Sequence, residues 1–239
     1  MTTSSPAPSP PMAVPLAVAA VVVAALAVSA IAPYDRLTWL LEVFPVLIAL
    51  PLLALTRRRF PLTDLLYVLI GAHALVLILG GTHTYARVPL GFWLQELFDM
   101  QRNPYDRIGH FFQGFVPAVA AREILLRGAY VRGRRMAAFL CICVALAISA
   151  CYEFIEWWSA LILGQGADEF LGTQGDPWDT QWDMFMALAG AGSAMILLGR
   201  LHDRRMAALG FVRSEQRLDH AGRAGAPAYK GRLLTYLRV

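Results

Sequence analysis

The stretch MAAFLCICVALAISACYEFIEWWSALIL, residues 136–163, decides the fold. It exceeds the roughly 20 apolar residues that cross a bilayer core. Cys141, Cys143, Ser149 and Cys151 sit inside its apolar run as small packing residues. The cysteines form no CxxC and offer no zinc-ribbon spacing. Glu153 and Glu156 stand three apart toward its far end. An apolar helix that carries two carboxylates within the membrane is costly, and such groups usually mark function.

Five further stretches of the same kind lie outside it. They are Ala13–Ala32, Leu37–Leu55, Leu62–Gly81, Tyr105–Leu126 and Gln181–Gly199. The fourth in chain order, Tyr105–Leu126, is the least apolar, because it holds Asp106, His110, Gln113 and Arg122. A five-span arrangement with that segment re-entrant is the alternative. The first span reads as a retained helix, because Met1–Pro11 has no Lys or Arg and Pro33 follows the small residues that would precede cleavage. Overall, 57% of residues are hydrophobic and 16% charged, against about 25% charged in soluble domains. Soluble, disordered and disulfide-scaffold classes are thereby excluded. The expected fold is all-α, a polytopic bundle of about six transmembrane helices. It divides into a disordered cytoplasmic arm (1–12), a membrane domain (13–199) and a basic cytoplasmic tail (200–239).

Charge gives the orientation. Arg57, Arg58 and Arg59 follow span two, and Arg127, Arg132, Arg134 and Arg135 follow span four. Nine basic and three acidic residues follow span six. The loop Gly164–Thr180 carries Asp168, Glu169, Asp176 and Asp179 and no basic residue. By the positive-inside rule both termini are cytoplasmic. The net charge of +4 reflects this asymmetry. A tail touching anionic headgroups explains it better than nucleic-acid binding does.

In that orientation the polar intramembrane residues gather near the outer surface. Asp106 and His110 are four apart, Glu153 and Glu156 three apart, and Asp179 and Asp183 four apart, so each pair lies on one helix face. One imidazole among carboxylates suits Mg²⁺, Mn²⁺ or Zn²⁺, with His110, Glu153, Glu156, Asp179 and Asp183 as ligands. Without an ion, crowded carboxylates cannot all be ionised in a low dielectric. His110 oriented by Asp106, with Glu153, would then do acid–base work. A proton relay in a transporter and a structural hydrogen-bond network are the other readings. Glu42 either joins this cluster or bonds near the interface. His73, alone in span three, reads as bonded to a neighbouring helix. Arg122 and Glu123 read as snorkelling and local pairing.

The segment Gly80–Asn103 is long for a loop. Phe92–Phe98 has helical spacing, which predicts a short interfacial helix. His83, Tyr85 and Glu96 would reach the site from above. All six tryptophans fall toward the outer side, which suggests a pocket rim beyond simple anchoring. Tyr85, Trp157 and Trp178 are the expected substrate contacts. Ala187, Gly190, Ala191 and Ala194 make span six a close-contact helix.

These motifs resemble the YjdF-like family of bacterial inner-membrane proteins, whose biochemical function is unknown. The resemblance rests on Thr84-Tyr85-Ala86 with Val88-Pro89-Leu90, on Arg102-Asn103-Pro104-Tyr105-Asp106-Arg107-Ile108-Gly109-His110, on Glu153-Phe154-Ile155-Glu156-Trp157, and on Gly172–Met184. It runs from about Leu37 to Gly199. It implies a multi-pass inner-membrane protein and supplies no substrate. Asp106, Arg107 and His110, then Glu153 and Glu156, then Asp183, Gly190 and Ala194, are also similar, more distantly, to motifs of VanZ-like proteins. Here Glu156 replaces a glutamine and Ala187 an asparagine. That likeness implies an envelope-facing role. The expected activity is therefore an outer-facing intramembrane site acting on a lipid-linked or envelope substrate. The alternative is a non-enzymatic transporter or partner scaffold.

Overall fold

The computed structural model describes residues 12–164 and 168–210. The expected N-terminal arm and most of the basic tail lie outside them. The helices are α1 (Ala13–Ser29), α2 (Arg36–Thr56), α3 (Asp64–His83), α4 (Pro89–Leu97), α5 (Tyr105–Arg127), α6 (Arg134–Leu163), α7 (Asp168–Leu171) and α8 (Asp179–Ala208). A 3₁₀ turn, Tyr85–Arg87, joins α3 to α4, and no strand occurs among the described residues.

Local chemistry sets the helix starts. The Asp35 side chain accepts the Thr38 N–H at 2.7 Å and caps α2. Thr63 caps α3 by accepting from Leu66 N. Pro89 opens α4, where its missing N–H costs nothing. Helix α4 matches the short helix predicted from the Phe92–Phe98 spacing, shifted a few residues toward the N-terminus.

Helices α2, α3, α6 and α8 are each long and apolar enough to cross a membrane. Helix α1 is apolar and has 17 residues, about 26 Å by helical rise. Helix α5, with 23 residues, spans about 34 Å but is too polar to qualify on composition. Packing explains why. Helix α5 touches α3, α6 and α8, and its buried residues run around its circumference. The least apolar helix occupies the centre, where protein shields it from lipid. The outward-facing residues are apolar and exposed, as Ile162, Ile196 and Leu197 show. That pattern suits hydrocarbon solvent and not water. The protein is a polytopic, all-helical membrane protein.

The tightest contact is α5 on α8. A Cβ at Gly114 would collide with the Ala187 carbonyl, and one at Gly190 with the Phe111 carbonyl. Ala187, Ala191 and Ala194 are fully buried along the same face. The small residues predicted to permit close contact therefore do so. Helix α8 continues to Ala208, nine residues past the predicted end of span six, and His202 and Met206 are buried on it.

Polar residues lock the Arg-rich end. Glu123, fully buried, accepts from Thr63 N (2.9 Å), Thr63 Oγ1 (2.8 Å), Arg127 Nη1 (2.6 Å) and His202 Nε2 (2.8 Å). Arg122 can only donate, so His202 Nδ1 accepts from it at 3.2 Å. Arg122 also pairs with Asp203 at 2.6 Å, and Asp203 with Arg134 at 3.3 Å. This network ties α3, α5, α6 and α8 together. It replaces the snorkelling expected of Arg122 and Glu123. The signal missed was His202, because a residue beyond the apolar run reads as tail. At the opposite end, Trp39 Nε1 donates to Ser29 Oγ at 2.9 Å, and Tyr34 N to Thr82 O at 2.9 Å.

Candidate functional site

Helix α5 starts where two loops are stitched together. Asn103 N donates to Gln174 Oε1, and Gln174 Nε2 donates back to Asn103 O, both at 3.0 Å. Asn103 Oδ1 accepts from Tyr105 N, and its Nδ2 donates to Val88 O. Beside this stitch, Arg102 pairs with Asp179 and sits 3.4 Å from Asp106 Oδ2 and 3.5 Å from Asp176 Oδ2. Burial works against its charge. The hydrogen bond to Asp179 and the fields of Asp179, Asp106 and Asp183 outweigh that, so the guanidinium is held more firmly protonated than usual. Arg107 pairs with Asp176 at 2.9 Å and lies over the Trp182 ring. Two arginines thus cover the cluster at the end of the bundle opposite Glu123.

One turn below, His110 is the hub. Its Nε2 lies 3.5 Å from Asp106 Oδ1 and 3.8 Å from Asp183 Oδ2. Its Nδ1 lies 3.0 Å from Gln113 Oε1 and 3.9 Å from Glu153 Oε1. Asp106, His110, Glu153 and Asp183 are all buried. The structure thus brings together the three stripes that spacing alone could only place at one depth. Glu42 joins them: it is buried on α2 and accepts from Tyr152 Oη at 3.2 Å. Tyr85 also arrives, its ring packed so closely on Gly80 and Gly109 that a Cβ at either would collide with it.

Two donor sets share the histidine. One is Asp106, His110 and Asp183, and the other is His110, Glu153 and Glu156; within each, the candidate atoms lie within 4.8 Å of one another. Gln113 Oε1 can only accept, so Nδ1 carries the hydrogen, and Nε2 is the ring nitrogen that faces Asp106 and Asp183. A second hydrogen bond that fixes the tautomer is how ligating histidines are ordinarily held. Neither oxygen of Glu153 has a hydrogen-bond partner within 3.5 Å, although the Thr180 side chain lies beside it, nor has Asp183 Oδ1. Buried carboxylate oxygens without partners are expensive.

A cavity of about 20 Å³ lies beside the cluster, lined by Glu42, Tyr85, Asp106, His110, Tyr152 and Glu156 among others, but not by Glu153 or Asp183. That is room for one water or one ion. The remaining expected residues sit differently. Asp179 belongs to the Arg102 ion pair, outside both donor sets. Trp157 and Trp178 are more than half exposed and do not line the cavity. His73 Nε2 has no hydrogen-bond partner, and the ring stacks on Phe112 at 6.3 Å instead of bonding through Nε2 to a neighbouring helix. Arg102, Gln113 and Tyr152 were not singled out by spacing.

The family described as "Predicted membrane protein (DUF2238)" matches residues 14–204. The chain belongs to this family. It is also 62% identical over 182 residues to inner membrane protein YjdF of Escherichia coli (strain K12), covering 76% of this chain and 87% of that one. No solved structure matches it. Together with its spanning helices, this makes the chain a multi-pass protein of the inner membrane. His110, Asp106, Glu153, Glu156 and Asp183 all fall within the matched range.

Proposed function

We propose that the His110 cluster binds one divalent cation and uses it on a lipid-linked substrate of the cell envelope. The carrying observation is the set of unpartnered, buried oxygens of Glu153 and Asp183 around a histidine whose other nitrogen is already committed. The contrast with the opposite end supports this reading. There the same chain builds a buried network in which Glu123 accepts four hydrogen bonds. A purely structural cluster at the outer end would be expected to be closed in the same way.

His110 Nε2, Asp106 and Asp183 are the ligands in this reading, a set that suits Mn²⁺, Mg²⁺ or Zn²⁺. Such an ion polarises a bound oxygen or acidifies a bound water. Glu153, on the other side of the imidazole, accepts a proton, and Glu156 completes the second donor set. Arg102 and Asp179 hold Asp106 in place. Tyr85 and Tyr152 hydroxyls orient the substrate at the cavity wall. Basal reaction type follows from these roles as hydrolysis or group transfer at a polarised oxygen.

The test is bound metal. Protein purified in mild detergent without chelator is analysed by elemental mass spectrometry, beside His110→Ala and Asp183→Asn. Near-stoichiometric metal in the wild type, lost in both variants, is the expected result. Absence of metal from every sample, also after equilibration with Mn²⁺, Mg²⁺ and Zn²⁺, overturns the reading.

A further inference from the structure

Below the cluster lies a much larger cavity, about 920 Å³, in the range of small-molecule sites. Its lining is overwhelmingly apolar: Ala49 and Leu53 from α2, Ile70 from α3, Val116 and Ala120 from α5, and Ile148 from α6 are representative. Helices α3 and α5 form its floor. Helices α2 and α6 stand on either side and scarcely touch each other. Their link is the hydrogen bond from Tyr152 to Glu42, which roofs the groove. Leu77, Gln113 and Tyr152 line both this groove and the small polar cavity, so the two adjoin.

We infer that this groove seats the hydrocarbon chain of a lipid whose polar end lies at the His110 cluster, and that substrate enters sideways from the bilayer between α2 and α6. The inference rests on the proposed site for the identity of the polar end. Three observations carry it. The Arg102 and Arg107 ion pairs cover the cluster on its outer side, while the groove adjoins it from the membrane side. Along α5 the groove runs from Gln113 to Arg127, about 21 Å by helical rise, some two-thirds of the thickness of a hydrocarbon core. At the opposite end of the groove the Arg127 guanidinium is already engaged by Glu123, the Pro61 carbonyl and the Phe60 ring.

The full-length protein is reconstituted in phosphatidylethanolamine–phosphatidylglycerol vesicles containing a phospholipid with a diazirine in mid-acyl chain. After illumination, labelled peptides are mapped by mass spectrometry. Labelling of α5 around Val116 and Ala120 should exceed labelling of the lipid-facing Ile196–Leu197 surface several-fold. Ala120→Trp and, separately, Leu53→Trp should reduce groove labelling to that background while bound metal stays at the wild-type level. The retained metal also shows that either variant is folded. Equal labelling of groove and Ile196–Leu197 means ordinary annular lipid and overturns the inference. So does a crosslink joining two copies of the chain through the groove. A protein that labels in the groove but holds no metal keeps this inference and loses the metal reading; metal without preferential labelling does the reverse.

Discussion

Glu153 and Glu123 are both buried glutamates, and their truncation should have opposite effects. Glu123 accepts four hydrogen bonds, so Glu123→Ala strands Arg127, His202 and Thr63 and should cost about 3–5 kcal/mol, read as a large fall in Tm in detergent. Glu153 accepts none. Glu153→Leu removes an unsatisfied carboxylate and should leave the chelator-treated protein as stable as wild type, or more stable by about 1 kcal/mol. Added Mn²⁺ should raise the wild-type Tm, by about 2.7 kcal/mol of stability at a hundredfold excess over Kd. Asp183→Leu should abolish that rise. A drop for Glu153→Leu as large as that for Glu123→Ala would make the outer cluster structural. Asp35 gives a pH-dependent case outside the membrane. The backbone N–H of Thr38 holds its carboxyl below the usual aspartate range. Its cap therefore contributes fully above about pH 4 and is lost as pH falls through the lower folded value. Asp35→Ala should cost about 1 kcal/mol at neutral pH and progressively less in acid, in thermal melts across that window.

Helix by helix, the contact of α5 with α8 depends on glycine. Gly190→Leu has no room against the Phe111 carbonyl and should prevent accumulation of folded protein, whereas Gly192→Leu meets open space and should be tolerated. Membrane yield and a size-exclusion profile of the pair check this. Helices α2, α3, α6 and α8 were legible because each carries a long apolar run. The α8 terminus was not, since Arg200 to Arg205 end the apolar run without ending the helix. Helix α5 was legible as the least apolar of the six stretches, with a re-entrant segment as its alternative, and its central place was not readable. Within the site, spacing found Asp106, His110, Glu153 and Asp183, because side chains three or four apart share a face. It missed Gln113, which selects the histidine tautomer, and Tyr152, which bridges to Glu42. Such partners depend on helix rotation, which no single-chain pattern carries. Trp157 and Trp178 were drawn in by their clustering at one side, and neither lines the cavity.

For the molecule as a whole, the two ends differ in chemistry. Alternating helix directions put Thr63, Glu123, Arg134 and His202 at one end and Thr82, Arg102 and Asp179 at the other. The arginine bias assigns the first end to the cytoplasm. In a variant free of Cys141, Cys143 and Cys151, a membrane-impermeant maleimide added to intact cells should label Trp178→Cys and spare Arg58→Cys. The reverse pattern would invert the orientation and put the His110 cluster on the cytoplasmic side. The position of α5 also bears on how the protein is made. Ionisable residues in a spanning helix oppose membrane insertion, and α5 carries Asp106, Arg107, His110, Arg122 and Glu123. Helix α5 is surrounded on three sides by helices, two of which, α6 and α8, are synthesised after it. It cannot settle in the bilayer on its own merits and must wait for its later partners. Biogenesis therefore completes only when α8 emerges from the ribosome, and chains ending before Asp179 should be left with α5 unshielded and be cleared by membrane quality-control proteolysis.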